Sequence, residues 1–574
     1  MRKSFICSLL LFSQVVFSKT PINDVEKYAT FCRVYGIVKY YSNDVSQGKI
    51  NWDAHTVNYI PKIELVKNSE DFNQLLRDYL SIIISKESDS PMLIDYDKIQ
   101  KKYKTGKLEK RVSFDWIENN LITIENQKKI KNIISSFEMK KNVAFELGEK
   151  KKKIYHKEIF KFDENLLNSN HFLLGFFQYW NVIEYYFPHK NLMDSTWDSV
   201  LENKVTAFLK IEKRENYIKK IWNVSSYIND SHGFVDDLSI KENVKKAHPF
   251  SFYLIENKYV LYSVNSDSLQ NIMPVKKGTI LTHIDNIPVD SLLKNYQGRT
   301  PNSRESIARY YFIKDLNSSS FLNDSACFTF NDTTKIYTKK VLLPKFDRKE
   351  YLIKRVPFRD LNDSTGYIHT SKVNFFEFGR TMRKFRNKKY IIFDCRGYPG
   401  LSVLRYGVLL GGKPKNVSAL NYPFYRLPGH YSYTKENYFG SVAEMGLKVL
   451  GVMPENAGNI IPSFKRPYKG KIIVLMNEWA LSFGETNIMT LKTYAKDCVI
   501  IGSNSAGANG DVATSPLVGN LEIGFTGLDF RFADGTQLQR VGIKPDIEVK
   551  PTLKDFIKGE DTLLNYSLEY IKKH

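Results

Sequence analysis

Two residues of this chain stand where acyl-transfer chemistry could be done: a serine at position 482 and a histidine at position 232. Ser482 follows the apolar, β-branched run Ile472–Met476, which is too short for a helix and reads as a buried strand. Beyond it Ile488, Leu491 and Ala495 recur at helical spacing, so the serine opens a helix. Unpaired N–H groups at a helix start favour developing negative charge, which suits a nucleophile beside an oxyanion hole. The same residues also fit a structural role: Ser482 with Glu485 three positions on is a capping box. His232 ends the run Asn229-Asp230-Ser231-His232-Gly233. A neutral imidazole beside a turn glycine at a helix end could take up a proton, and it equally fits a surface histidine.

The elements that must hold these groups begin with an internal repeat. Tyr35-Gly36-Ile37-Val38-Lys39-Tyr40-Tyr41 matches Trp180-Asn181-Val182-Ile183-Glu184-Tyr185-Tyr186, and Trp52-Asp53 matches Trp197-Asp198 at the same offset. Both copies run on into amphipathic stretches, Phe72, Leu75, Leu76 and Tyr79 in one and Tyr217, Ile221 and Val224 in the other, so each reads as a small helical unit with an aromatic core. The copies part at the histidine: where the second has Asp230-Ser231-His232, the first has Ser85-Lys86-Glu87.

Between about 246 and 345 short strands and turns take over: Phe252–Ile255, Tyr259–Tyr262, and a hairpin from Val275 to Val289 turning at Asp285-Asn286. From about 350 strands alternate with helical patterns, which indicates an α/β unit. Gly366–His369, Tyr390–Cys395 and Cys498–Gly502 are its further strands, and Arg396–Gly400 is a tight turn whose amides could face a substrate. The segment Tyr422–Ser463, rich in Tyr, Pro and Gly, reads as an insertion on the active-site side, a lid or peptide-binding loop. His369 reads as a strand-face side chain, while His283 and His430 have no evident partner.

Composition narrows the class. The chain of 574 residues is 42% apolar and 14% aromatic, enough to bury several cores. Its net charge of +22 comes mainly from lysine patches such as Lys101–Lys110 and Lys150–Lys153, which read as solvated faces and linkers without a nucleic-acid-binding motif. Arg2 and Lys3 before the apolar run Phe5–Phe17, with the small Ser18 after it, read as a signal peptide too short to span a membrane. Export to the periplasm or beyond the cell is therefore expected, with no membrane-spanning segment. Cys7 lies in the apolar run without a lipobox. Cys32, Cys327, Cys395 and Cys498 are scattered, which predicts free thiols, with no metal-ligand spacing and no cofactor motif.

Several ordered pieces together resemble the serine peptidases that include the C-terminal processing (tail-specific) proteases and the tricorn core protease. They are the hairpin of 275–289, similar to a PDZ domain, then Asp394-Cys395-Arg396-Gly397-Tyr398-Pro399-Gly400, Ser482 with Glu485, the glycine-rich Ser503–Gly510, and Gly542-Ile543-Lys544-Pro545-Asp546. The resemblance spans about 250 to 550, and the helical front resembles the cap of tricorn-like members. Together with the signal peptide (1–18) and the N-terminal helical domain with its basic linker (19–165) read above, it implies an α+β multidomain protein with a helical cap (166–245), a PDZ-like domain (246–345) and an α/β catalytic domain of the crotonase/ClpP-like type (346–574). Processing proteases pair the serine with a lysine in a glycine-flanked element downstream, but here that element reads Gly507-Ala508-Asn509. Tricorn-like members use a histidine preceded by a serine, which Ser231-His232 matches.

The resemblance thus assigns Ser482 as nucleophile, His232 as base at an imidazole pKa near the ordinary value, and Ser231 as a further member of the site. It assigns the Gly400 and Phe483 amides as oxyanion donors, and Asp394 and Arg396 as supports of the turn that carries Gly400. Where the tricorn arrangement has an orienting glutamate, this chain has Gln539, which brings no charge. The implied substrate is a peptide or unfolded protein, with the PDZ-like domain capturing peptide C-termini. A catalytically inactive peptide-binding protein and a lysine-dyad processing protease remain the alternatives.

Overall fold

The computed structural model describes residues 21–84, 99, 101, 107–138, 145–147, 154–156, 162–240, 246–265, 272–319, 321–342, 356–411, 415–424, 427–436 and 467–574. The expected signal peptide, Ser85–Glu87, Lys150–Lys153 and most of the Tyr422–Ser463 insertion lie outside the described residues.

The sequence repeat is also a repeat of structure. Helices α1 (Asp24–Tyr41), α2 (Trp52–Glu64) and α3 (Ser69–Tyr79) form the first copy; α4 (Ser169–Tyr186), α5 (Trp197–Lys204) and α6 (Arg214–Ser225) form the second. Even the tie between the first two helices recurs. Trp52 Nε1 donates to the Tyr35 carbonyl at 3.2 Å, and Trp197 Nε1 to the Trp180 carbonyl at 2.9 Å. The copies pack through equivalent positions on α1 and α4: Tyr40 meets Tyr185 with rings 4.9 Å apart, and Gly36 lies against Asn181. A Cβ on Gly36 would fall 1.7 Å from Asn181 Oδ1, so this contact requires glycine. Asn181 cannot easily retreat, because its Nδ2 is held by the carbonyls of Cys32 and Phe177 at 3.0 and 2.9 Å.

After α6 a short 3₁₀ turn (Ser226–Ile228) leads through Asn229, at φ 49°, into Asp230-Ser231-His232-Gly233 and then strand β1 (Phe234–Asp237). Gly233 packs so closely on Pro301 that a Cβ there would lie 2.5 Å from its Cγ.

The middle of the chain folds as an antiparallel sheet ordered β6-β5-β4-β3-β2. Its strands are β2 (Phe250–Ile255), β3 (Lys258–Val264), β4 (Ile280–Ile284), β5 (Ser325–Phe330) and β6 (Thr334–Lys339), with helices α7 (Val289–Gln297) and α8 (Glu305–Ser318). The turn predicted at Asp285-Asn286 is present, both residues having positive φ, but Val289 starts α7 and does not continue a strand. β2 is an edge, and its Phe252 is bonded through both backbone groups to the Asn317 side chain on α8.

The last region is a mainly parallel sheet ordered β7-β8-β9-β10-β11-β14. It comprises β7 (Phe358–Asn362), β8 (Thr365–His369), β9 (Tyr390–Asp394), β10 (Lys471–Met476), β11 (Asp497–Gly502) and β14 (Ile547–Glu548). Only β7 runs antiparallel to its neighbour. Helices α9 (Phe375–Lys384) and α10 (Phe483–Tyr494) cover the face of Phe393, Ile472 and Val474, while α12 (Thr562–Lys573), which follows the short α11 (Leu553–Lys558), covers that of Ile392, Ile473 and Leu475. Burial on both faces is why these strands read as unbroken apolar runs.

Between β11 and β14 the chain forms the hairpin β12 (Val512–Leu517) and β13 (Leu521–Thr526). β1 pairs antiparallel with β13, Phe234 opposite Gly524 and Asp237 opposite Leu521. The described part of the insertion is a hairpin, Ser418–Pro423 with His430–Glu436, flanked by Asp529–Phe532 and Leu108–Lys110. His430 is buried in it, and burial pushes its pKa down to about 4. The four described cysteines are free thiols. No helix among the described residues is long and apolar enough to cross a membrane.

The interlock of the two copies gives a direct test. Gly36→Ala is expected to lower unfolding free energy by about 1–3 kcal/mol in urea titrations, as overpacking does in tight cores. A variant as stable as the parent would contradict the interlock.

Candidate active site

Ser482 stands between β10 and α10 in a backbone conformation that a non-glycine residue rarely adopts, φ 57° and ψ −123°. Three hydrogen bonds enforce it: the Ser482 amide donates to the Ala508 carbonyl at 2.9 Å, Ala506 N–H to Ala480 O at 2.9 Å, and Gly484 N–H to Leu481 O at 2.8 Å. The glycine-rich segment after β11 thus clamps the turn on one side.

The capping-box reading is overturned here, since the Ser482 side chain makes no cap hydrogen bond. Glu485 is fully buried and turned the other way, accepting from Ser505 Oγ at 2.5 Å and from the Gly507 and Ala508 amides at 2.8 and 3.2 Å. Burial raises its pKa to about 7, against the pull of those three donors and of Arg304. Glu485 therefore shapes the glycine-rich segment, and the Ser482 hydroxyl is not used as the helix cap.

Of the two expected oxyanion donors, one is corrected. The Gly400 amide donates to the Thr370 carbonyl at 3.1 Å, because the turn after β9 folds back on the end of β8, so that N–H is already used. Phe483 is the first residue of α10, the position from which an N–H lacks an intrahelical acceptor. Asp394 and Arg396 do brace the turn: Arg396 bonds both Asp394 oxygens at 2.9 and 2.7 Å and both Asp561 oxygens at 2.8 and 2.7 Å, and Tyr367 OH adds a bond to Asp394 at 2.8 Å.

His232 is buried, contrary to the surface reading. Its Nδ1 lies 2.9 Å from Thr526 Oγ1 at the end of β13, and Thr526 Oγ1 donates to Asp230 Oδ1 at 2.8 Å. Asp230, also buried, accepts in addition from the Thr526 amide at 2.6 Å, the His232 amide at 3.2 Å and Gln539 Nε2 at 2.9 Å. Gln539 thus joins the site through Asp230. The His232 pKa is lowered from its ordinary value by burial, opposed by the charges of Asp230 and Asp511, which corrects the expectation of an unshifted imidazole.

Ser231 Oγ lies 2.6 Å from Ser303 Oγ, and Ser303 Oγ donates to the Ala506 carbonyl at 2.8 Å, so a short chain of bonds runs from Ser231 to the segment that clamps Ser482. A cleft of about 3510 Å³ has Ser231, His232, Tyr310, Tyr398, Trp479 and Leu481 in its wall. His369, at the end of β8, also lines it, with Nδ1 3.0 Å from Ser371 Oγ. Sequence reasoning missed Thr526 and Ser303, which carry no local motif, and passed over Asp230 although it stands two residues before the histidine.

Residues 364–549 match the family model of peptidase family S41. That segment is a serine peptidase region of family S41. The matched segment holds Ser482, the glycine-rich loop, Thr526 and Gln539. Among solved structures, mature CPAF complexed with lactacystin is similar with a TM-score of 0.52 at 14% identity, over 71% of this chain and 98% of that one. Mature CPAF without that compound gives 0.51 at 14%, over 71% and 97%. These likenesses show a shared fold. The tricorn protease gives only 0.32 at 14%, over 70% of this chain and 36% of that one, too low to argue from. No curated protein sequence matches the chain. Among the described residues no group of three or more His, Cys, Asp or Glu side chains is arranged to hold a metal ion.

The strain at the peptidase's serine has a measurable consequence. Ser482→Gly is expected to be more stable than Ser482→Ala by about 1 kcal/mol, because glycine alone accepts this φ and ψ at no steric cost. Equal thermal stability of the two variants would mean that the turn is unstrained.

Proposed function

We propose that the chain is an exported endopeptidase that cleaves unfolded or tail-exposed polypeptides with Ser482 as nucleophile and His232 as base. In this reading residues 166–245 are a helical cap that delivers the histidine. Residues 246–345 are a PDZ-like domain that captures peptide C-termini. The carrying observation is the strained Ser482 turn, whose hydroxyl is left out of the helix cap and whose neighbours Trp479 and Leu481 line the same cleft as the buried His232. Export rests on the sequence of the first 18 residues.

In this reading the steps are those of acyl transfer. Ser482 Oγ attacks the scissile carbonyl carbon as its proton passes to His232 Nε2, and the Phe483 amide stabilises the oxyanion. The imidazolium then returns the proton to the departing amine, and water hydrolyses the acyl-enzyme by the same route. Ser231 holds the cap to the nucleophile segment through Ser303. Two observations favour histidine over a lysine dyad: Ala508 is the residue whose carbonyl meets the Ser482 amide, and His232 already has its Nδ1 engaged, leaving Nε2 as the reacting nitrogen.

Casein hydrolysis by the parent, Ser482→Ala and His232→Ala tests the assignment. Each variant is expected to lose roughly a thousandfold or more in kcat/KM. Variants as fast as the parent would sink it. Since the base must be neutral and burial holds the His232 pKa below 6.5, activity should fall as pH drops, with a midpoint below 6.5. A midpoint above 6.5 would point to another base.

A further inference from the structure

Gln539 brings no charge to the site, and yet its side-chain amide lies 2.9 Å from a fully buried carboxylate, Asp230. We infer that Asp230, acting through the Thr526 hydroxyl, is the positioning carboxylate of His232. This rests on the Ser482–His232 reading and deepens it.

Donor counting fixes the direction of the bonds. An ionised carboxylate only accepts, so the single Thr526 hydroxyl proton goes to Asp230 Oδ1 at 2.8 Å. Thr526 Oγ1 can then only accept from the ring, so His232 Nδ1 carries the proton across 2.9 Å. Nε2 is thereby left with its lone pair, the tautomer a general base needs. When the ring gains a proton at Nε2, the positive charge is stabilised by Asp230 two bonds away, with no proton crossing the threonine.

Asp230 is itself held by four donors: the Thr526 amide and hydroxyl, the His232 amide and Gln539 Nε2. Gln539 is therefore required as an amide. A glutamate there would set a second carboxylate against Asp230, and one of the two would be forced to take up a proton. Among the described residues, Asp511 is a further charge that acts on the ring. It forms no part of this bonded chain, so its effect is that of a nearby charge alone.

The test compares pH–rate profiles of the full-length protein with folding followed by thermal melting. Asp230→Asn is expected to lower plateau kcat roughly 100-fold or more and to move the acid limb down by about one pH unit, since the imidazolium loses its anion. A purely structural role would not move that limb. Thr526→Val is expected to lose roughly tenfold or more and Thr526→Ser to stay within about threefold of the parent, because only the hydroxyl matters. If Asp230→Asn does not fold, the Thr526 pair decides. Gln539→Glu is expected to lower activity at neutral pH; a gain would place the working carboxylate at 539 and overturn the inference. So would an unaltered plateau and acid limb in Asp230→Asn, or an unimpaired Thr526→Val. Hydrolysis that survives His232→Ala would instead bring down the underlying reading, which keeps the two failures apart.

Discussion

A buried carboxylate cannot be left without donors, and the structure around the site is arranged to supply them to Asp230. Two of its four donors come from a single residue, Thr526, at the end of β13. The partner strand β1 begins just after His232, so the ladder between β1 and β13 carries the histidine turn into the α/β region. The covalent distance between His232 and Ser482 is long, but the non-covalent route is short: one ladder, one threonine, and the Ser231–Ser303–Ala506 chain.

The cores divide the same way. Leu521, Ile523 and Phe525 of β13 pack with the aromatic core of the helical repeat, although they lie within the S41 segment. The sheet that carries Ser482 has its own core of Phe393, Ile472, Val474 and Ile488. The hydroxyl and the imidazole thus come from two separately packed bodies, joined by a hairpin that belongs to one in sequence and to the other in packing. Burial of aromatic and aliphatic side chains at about 1.5–3 kcal/mol each makes both bodies firm supports.

Much of this was legible in the residues. The repeat could be read because Trp52 and Trp197 do the same work, each bonding the carbonyl of its equivalent residue one helix earlier. The buried strands were visible as apolar runs, and the Ser482 helix through Ile488 and Leu491. What stayed hidden depends on contacts made across hundreds of residues. Ser482 with Glu485 has the spacing of a capping box, but Glu485 finds better donors in the glycine-rich segment than at the helix start. Gly400 has the right place in its motif, yet its N–H is taken by Thr370. Thr526 is one hydroxyl in a strand, and only the fold brings it between His232 and Asp230.

The central claim is that Ser482 is a hydroxyl made nucleophilic by His232. A fluorophosphonate probe, which forms a stable bond only with an activated serine, measures this without any knowledge of the natural substrate. Mass spectrometry after labelling should find the adduct on the peptide containing Ser482, with labelling lost in His232→Ala. Labelling elsewhere, no labelling of the folded parent, or undiminished labelling of Ser482 without His232 would contradict the account.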